Sequence, residues 1–265
     1  QANKSLGQNF LVDDNVIDEI IRSSNIDKQD LIIEIGPGLG VLTNRLLKEA
    51  NNVIAVELDK RMVNILQDRF ILNINDQAES KLEIINEDIL KINLNEIIAE
   101  KRKQTEIKNV KIVANLPYYI STPIIMKLLE NRLDIDEIIV MVQKEVAERL
   151  TAKTGTRLAG AITYAVEYYS DATSIIKVPK ESFVPSPKVE SEVIKLKVRK
   201  GKKIQVKDEK LLFNIISKSF MQRRKTLSNV LINNNIMHSK EDVKNMWKEL
   251  EIDENVRGES LTLEQ

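Results

Sequence analysis

The chain has no cysteine, which excludes disulfides and thiolate metal sites. It has a single histidine, His238, so neither a Ser-His-Asp triad nor a multi-histidine zinc site can be assembled. Lying beside Ser239, His238 reads as a surface residue near a helix start. No apolar run is long enough to cross a bilayer. The opening residues, Gln1-Ala-Asn-Lys-Ser5, carry no signal-peptide pattern, and a start without methionine points to a trimmed end. Net charge is zero, from 40 basic and 40 acidic side chains, so bulk charge names no polyanionic partner. These absences leave a metal-free, cytoplasmic protein with no membrane partner as the expectation.

What is present is an alternation. Leu31-Ile-Ile-Glu-Ile35 is an apolar strand, followed by a glycine-rich turn and a helix over 39–49. Val53-Ile-Ala-Val-Glu57 is the next strand, with a helix over 60–72. Strands over 82–85, 110–114 and 138–142 continue the series, and helices over 122–130 and 143–153 follow the last two. This rhythm predicts a parallel sheet covered on both faces. A helix over 158–169 and extended segments over 173–178 and 190–199 come next, joined by the rigid Phe183-Val-Pro-Ser-Pro187. Beyond Gly201 the apolar spacing is purely helical: Leu211, Leu212, Ile215, Ile216 and Phe220, then Leu227, Val230 and Leu231, then Val243, Met246, Trp247 and Leu250. The fold class expected is α/β, with a domain over 1–200 and a small helical domain over 201–265.

Four strand ends carry the chemistry. Glu34-Ile-Gly-Pro-Gly-Leu-Gly40 joins the first strand to its helix. Its glycines let backbone approach a ligand, and the helix start offers free N–H groups. A dinucleotide fingerprint needs a glycine where Val41 stands, and the Gly-Lys-Ser/Thr of a phosphate loop is missing. The spacing of Gly36, Gly38 and Gly40 suits a ligand without pyrophosphate, such as S-adenosylmethionine. Glu57 ends the second strand, where a carboxylate can take both ribose hydroxyls. Asp88 follows the third and can accept from an adenine amino group. The plainer reading of each acid is a solvated strand end, but all three features project into one crevice. Asn115-Leu116-Pro117-Tyr118 follows the strand over 110–114. The Asn115 amide can accept from an amino group, and Tyr118 offers a face for a base. The alternative is a strand-ending turn with a surface tyrosine.

Charge is clustered although its sum is zero. Lys195, Lys197, Arg199, Lys200, Lys202, Lys203 and Lys207 are uninterrupted by acid, and Arg223-Arg224-Lys225 form a second group. Such clusters can supply phosphate contacts, or they can be ordinary solvated faces.

With these residues in view, the chain resembles the ribosomal RNA adenine N6-dimethyltransferase family over nearly its whole length. The resemblance rests on Ser5-Leu-Gly-Gln-Asn-Phe-Leu11, the glycine-rich turn, Val56-Glu-Leu-Asp59, Asn115-Leu-Pro-Tyr118 with Ile120-Ser-Thr-Pro123, Gln143-Lys-Glu-Val146, Phe183-Val-Pro-Ser-Pro-Lys-Val189 and Gln222-Arg-Arg-Lys-Thr226. The last two segments look more like the branch acting on the small ribosomal subunit than the resistance methylases of the large one.

The resemblance implies a Rossmann-like sheet that binds S-adenosylmethionine and dimethylates two adjacent adenines near the 3′ end of 16S ribosomal RNA. It implies that Asn9 and the Leu11 backbone meet the methionine end of the cosubstrate. It places Gly36 and Gly38 against the cosubstrate, Glu57 on its ribose and Asp88 on its adenine. It sets Asn115 between cosubstrate and target base, in contact with both. Asn115 and the Leu116 carbonyl would hold the target amine, and Tyr118 and Phe183 would stack on the base, the plainer reading of Phe183 being a core residue at the domain junction. Lys200, Lys202, Lys203, Arg223, Arg224 and Lys225 would contact RNA, and the partner would be small-subunit RNA or an immature small subunit, met by a monomer. The family runs on a little past Gln265, so the last helix is expected to be cut short. The alternatives are a large-subunit RNA methylase and a non-catalytic RNA-binding assembly factor. A dinucleotide oxidoreductase is disfavoured by Val41.

Overall fold

The computed structural model describes residues 9–70, 81–130, 133–201 and 203–265. Residues 5–8 of the N-terminal motif, Lys202 and the end of the helix expected over 60–72 lie outside that set. Strand β1 (Phe10–Leu11) leads into α1 (Asp14–Ser24). Asp13 caps α1 by accepting from the Asn15 N–H at 3.0 Å, and Val16, Ile17 and Ile20 form its buried face. Then follow β2 (Leu31–Ile35), α2 (Val41–Glu49), β3 (Asn52–Val56), α3 (Lys60–Phe70), β4 (Leu82–Ile85), α4 (Leu94–Gln104) and β5 (Val110–Asn115). A single 3-10 turn (Tyr118–Ile120) precedes α5 (Ser121–Glu130), β6 (Glu137–Gln143) and α6 (Lys144–Thr151). The chain continues through α7 (Ala161–Tyr169), β7 (Ser170–Val178), β8 (Phe183–Val184), β9 (Ser191–Val198), α8 (Glu209–Met221), α9 (Leu227–Asn233) and α10 (Lys240–Leu250). Sequence reading left α1, α4 and the short β1 and β8 unplaced.

The main sheet has seven strands in the order β4-β3-β2-β5-β6-β9-β7. From β4 to β6 every pairing is parallel, which is why β2, apolar except for Glu34, is buried along its length. The expected parallel sheet is extended by β9, which runs antiparallel to β6. Separately, β1 and β8 form a two-stranded antiparallel ribbon.

The chain forms two compact units, one from Gln1–Ala147 with Asp171–Val198, the other from Glu148–Ser170 with Arg199–Gln265. They do not follow a single cut at 200. The reason is aromatic packing within the second unit. Tyr164 meets the edge of Phe220 at 5.5 Å, and Phe213 lies 5.5 Å from Tyr168 and 5.6 Å from Tyr169. These rings bind α7 to α8, so α7 belongs with the C-terminal helices. A second cluster in this unit gathers Leu227, Val230, Leu231, Val243 and Trp247, and the Trp247 indole N–H donates to Ser228 at 2.8 Å.

In the first unit, the starts of β2 and β5 are tied by a buried ion pair. Lys111 Nζ lies 2.7 Å from Asp30 Oδ2, with the two side chains 6% and 0% exposed. The ammonium also donates to the carbonyls of Ser24 and Asn25 at 3.0 and 2.7 Å. Asp30 accepts in addition from the Asp27 N–H and the Asn109 amide. Burial by itself would raise the Asp30 pKa, but the bonds from Lys111, Asp27 and Asn109 outweigh it and hold the carboxyl below its ordinary value. Removing one partner of such a pair strands the other charge. Lys111→Met should cost about 3–5 kcal/mol in urea unfolding at pH 7. A depressed carboxyl contributes stability above its unfolded pKa and loses it as pH falls through the folded one. Asp30→Asn should therefore flatten the acid limb of the stability–pH curve.

Candidate active site

A crevice opens where β2, β3, β4 and β5 end. Its wall carries Asn9, Leu11, Gly36, Gly38, Glu57, Asp88, Asn115, Leu116 and Tyr118, so the structure brings together nearly all the residues that sequence reading assigned to cosubstrate and target. Gly36 donates its N–H to the Val56 carbonyl at 2.9 Å, which holds the turn against β3. Gly40 caps α2 with φ at 76°. A Cβ there would lie 2.6 Å from the Phe70 ring and 2.7 Å from Leu66, so glycine is demanded both by conformation and by the packing of α3.

Glu57 is fixed by two backbone donors. Its carboxylate accepts from the Gly38 N–H at 3.1 Å and the Asp59 N–H at 2.8 Å. Burial pushes its pKa up, and those two N–H groups oppose the shift. The side-chain amide of Asn86 donates to the carbonyls of Glu57 and Leu58 at 2.8 and 3.2 Å, joining the ends of β3 and β4. Asp88 is half-buried in the next turn, where its carboxylate accepts from the Leu90 N–H at 2.9 Å.

Asn115 is divided in its duties. Its Nδ2 donates to the Asn9 carbonyl at 3.3 Å. Its Oδ1 accepts from no group among the described residues, and the residue lines the crevice. Leu116 is buried below, with its N–H on the Met141 carbonyl at 3.2 Å. Tyr118 is half-buried, and its hydroxyl shares a 2.6 Å hydrogen bond with Ser191. Burial raises the Tyr118 pKa, with the Ser191 bond pulling the other way.

Phe183 is not among the lining residues. It is 2% exposed and sits in the core of the first unit, so it offers no free face to a base. The physical reason is the ribbon: Phe183 pairs with Leu11, the Val12 N–H donates to Ser182 at 2.9 Å, and Ser182 donates to Asp13 at 2.8 Å. This linker clamps the N-terminal segment over the glycine turn. Phe10 and Tyr119 also line the crevice and were missed. The Phe10 ring would lie 3.2 Å from a Cβ on Gly38, a closeness that no local sequence pattern encodes. Tyr119 follows directly on the motif already singled out.

The basic residues divide. Lys203 pairs with Glu167 and, at 3.0 Å, with Glu264. Arg223 pairs with Glu259 and lies over the Phe220 ring at 5.4 Å. Lys200 also has an interaction. Arg224 and Lys225 are exposed, with no side-chain partner among the described residues. Those residues contain no cluster able to hold a metal ion and no helix long and apolar enough to cross a membrane.

The lining tests what the crevice can take. It includes Glu34, Glu57, Glu87 and Asp88, and no Lys, Arg or His among the described residues. A pyrophosphate would meet carboxylates with no cation to balance them. A cationic nucleoside without phosphate fits, and S-adenosylmethionine is such a molecule. Glu34 is the most costly of these acids. It is 1% exposed inside β2 and accepts from the Thr43 hydroxyl at 2.6 Å. Desolvation pushes its pKa up to about 8, so the carboxyl is largely protonated at neutral pH. An acid with a raised folded pKa stabilises fully below its unfolded value and loses that contribution as pH rises through the folded one. The wild type should lose stability from about pH 4.5 to pH 8, by up to roughly 1.4 kcal/mol per pH unit. In Glu34→Gln that slope should fall, leaving the smaller part that the raised Glu57 pKa contributes, as read by denaturant midpoints across this range.

The model for the family described as ribosomal RNA adenine dimethylase matches residues 1–265. The chain is 44% identical over 262 residues to ribosomal RNA small subunit methyltransferase A of Alkaliphilus oremlandii, covering 99% of this chain and 88% of that protein. It is 47% identical over 263 residues to the protein of the same name from Lachnoclostridium phytofermentans, with the same coverage. The crystal structure of a dimethyladenosine transferase from Plasmodium falciparum superposes with a TM-score of 0.76 at 26% identity, covering 96% of this chain and 94% of that one. With the sheet order and the acid-lined crevice at the strand ends, these likenesses give an α/β, Rossmann-like methyltransferase fold. The chain belongs to the ribosomal RNA adenine dimethylase family.

Proposed function

We propose that this protein transfers methyl groups from S-adenosylmethionine to N6 of two adjacent adenines near the 3′ end of small-subunit ribosomal RNA, giving N6,N6-dimethyladenosines. The observation that carries the reading is Asn115. Its donor end is spent on Asn9, its acceptor oxygen has no partner among the described residues, and the residue lines the same crevice as the glycine turn, which supports its use as an acceptor for the target amine. Bound S-adenosylmethionine supplies an electrophilic methyl group on a sulfonium. Glu57 takes the ribose hydroxyls of that molecule and Asp88 its adenine amine. Gly36, Gly38, Asn9 and Leu11 hold the remainder through backbone and side-chain amide groups.

The nitrogen to be methylated is a weak nucleophile, because its lone pair is delocalised into the purine ring. Asn115 Oδ1 and the Leu116 carbonyl accept its two N–H bonds and turn the lone pair out of that conjugation, toward the methyl. Pro117 has no N–H to compete for those acceptors. The proton is lost to water once N6 is alkylated and acidic, so a strong general base is unnecessary. Positioning is the main contribution, of the kind worth roughly 7–11 kcal/mol. Tyr118, anchored through Ser191, forms the wall against which the extruded base rests. Phe183 acts indirectly, by holding β1 across the crevice. Arg224 and Lys225 contact RNA phosphates, with Lys200, Lys202, Lys203 and Arg223 as further basic groups. The partner is the small-subunit RNA, free or within an immature subunit in the cytoplasm. The protein is proposed to meet that RNA as a monomer.

Asn115→Ala should lower methyl transfer at least about a hundredfold, by analogy with the loss of one transition-state hydrogen bond, while S-adenosylmethionine affinity by calorimetry changes little. The measurement is labelled methyl transfer to unmethylated small subunits, with large subunits as control. Unchanged turnover in the variant, or label on the large subunit alone, would sink the reading. The double variant Arg224→Gln, Lys225→Gln should weaken RNA binding and reduce the slope of log affinity against log salt by roughly 1–2. An unaltered slope would remove these two residues from the interface.

A further inference from the structure

The reaction as derived gives no task to two rings at the crevice, the half-buried Phe10 and the exposed Tyr119. Tyr119 lines the crevice and is 56% exposed, whereas its neighbour Tyr118 is half-buried and tied to Ser191 at 2.6 Å. The Tyr119 hydroxyl makes no hydrogen bond among the described residues. Both sit on the 3-10 turn Tyr118–Ile120, directly after Asn115-Leu116-Pro117. Its start is set by Pro117, whose carbonyl accepts from the Ile120 N–H at 3.2 Å. An isolated exposed tyrosine is ordinary on a protein surface. Here the ring is held on a short turn, four residues beyond the free acceptor Oδ1 of Asn115 and on the wall of the same crevice.

An extruded base cannot enter alone. The strand on either side must pass the mouth of the crevice, and its bases have lost their own stacking partners. Flat aromatic faces are what proteins offer to such unstacked bases. We infer that Tyr119 stacks on the nucleotide adjoining the target adenine, and so is a specificity-determining residue for the RNA rather than part of the amine clamp. This rests on the function proposed above. Because that substrate has two neighbouring adenines, the adjoining base is a purine with a wide face for at least one of the two target positions. Tyr119 then favours sites where a purine lies beside the target.

Three substitutions test this with the full chain. Tyr119→Ala should raise KM for unmethylated small subunits roughly tenfold, the scale of one lost base–aromatic stack. Its kcat should change less than threefold, and its S-adenosylmethionine affinity should stay at the wild-type value. Tyr119→Phe should keep KM within about threefold of wild type, since stacking needs the ring and not the hydroxyl. Tyr119→Trp places an emitter at the mouth. Relative to the Trp247 background, its fluorescence should be quenched by single-stranded RNA containing two adjacent adenines and not by S-adenosylmethionine alone. An unchanged KM in Tyr119→Ala, a Tyr119→Phe as impaired as Tyr119→Ala, or no quenching at RNA concentrations that saturate binding by anisotropy would each overturn the inference. A wild type that transfers no methyl group to small subunits would instead overturn the functional reading. The quenching still reports on position 119, because it does not require transfer.

Discussion

Register in the parallel core is the constraint on which the site depends. Ile35 stands opposite Val56 on one side and Ala114 on the other, and Val56 stands opposite Ile85. The residues that follow, Gly36, Glu57, Asn86 and Asn115, therefore stand at one level, Asn115 as the last residue of β5. A slip of one residue in any strand would turn its buried faces over and move a site group up or down by about 3.3 Å. The Lys111–Asp30 pair fixes the same alignment from the opposite end, where β2 and β5 begin. Thus a charged contact remote from the crevice and the apolar strands between them set the distance from glycine turn to amide acceptor.

The crevice concentrates groups that the rest of the fold would avoid. Glu34 lies in β2 and Glu57 just past the end of β3, and the charge of Glu57 adds to the burial that keeps Glu34 from ionising. Burial of such acids is unfavourable, and it persists because Thr43, Gly38 and Asp59 supply hydrogen bonds to them. The result is a pocket with acceptors already in place and no basic side chain on its described wall. That electrostatic character favours a sulfonium-bearing cosubstrate and an amino-bearing base, and it disfavours a phosphate in the same space.

In the second unit, much of the basic surface is committed to internal contacts. Lys203 and Arg223 neutralise glutamates of their own unit, and Arg223 lies over Phe220. A row of cations in sequence is therefore not the same as a row of free cations in space. Arg224 and Lys225, which follow the end of α8, retain the exposure that a phosphate contact needs.

The sequence by itself determined the parallel strands, the glycine turn and the four strand-end groups, because continuous apolar runs and turn chemistry are local properties. It also carried the family resemblance, which rests on motifs that are contiguous. It left α1 and α4 unread, although Asp13 with Val16, Ile17 and Ile20 is a legible helix start in retrospect. The remaining features depend on pairing across long separations. Phe183 is a core residue because Leu11 pairs with it, more than 170 positions away in number yet adjacent in the ribbon. Helix α7 joins the C-terminal unit because its tyrosines pack on Phe213 and Phe220. Asn115 has one end occupied and the other free because Asn9 is brought across the crevice to meet it. Such contacts are decided by which surfaces meet after folding, and residue order alone does not contain that information in any local window.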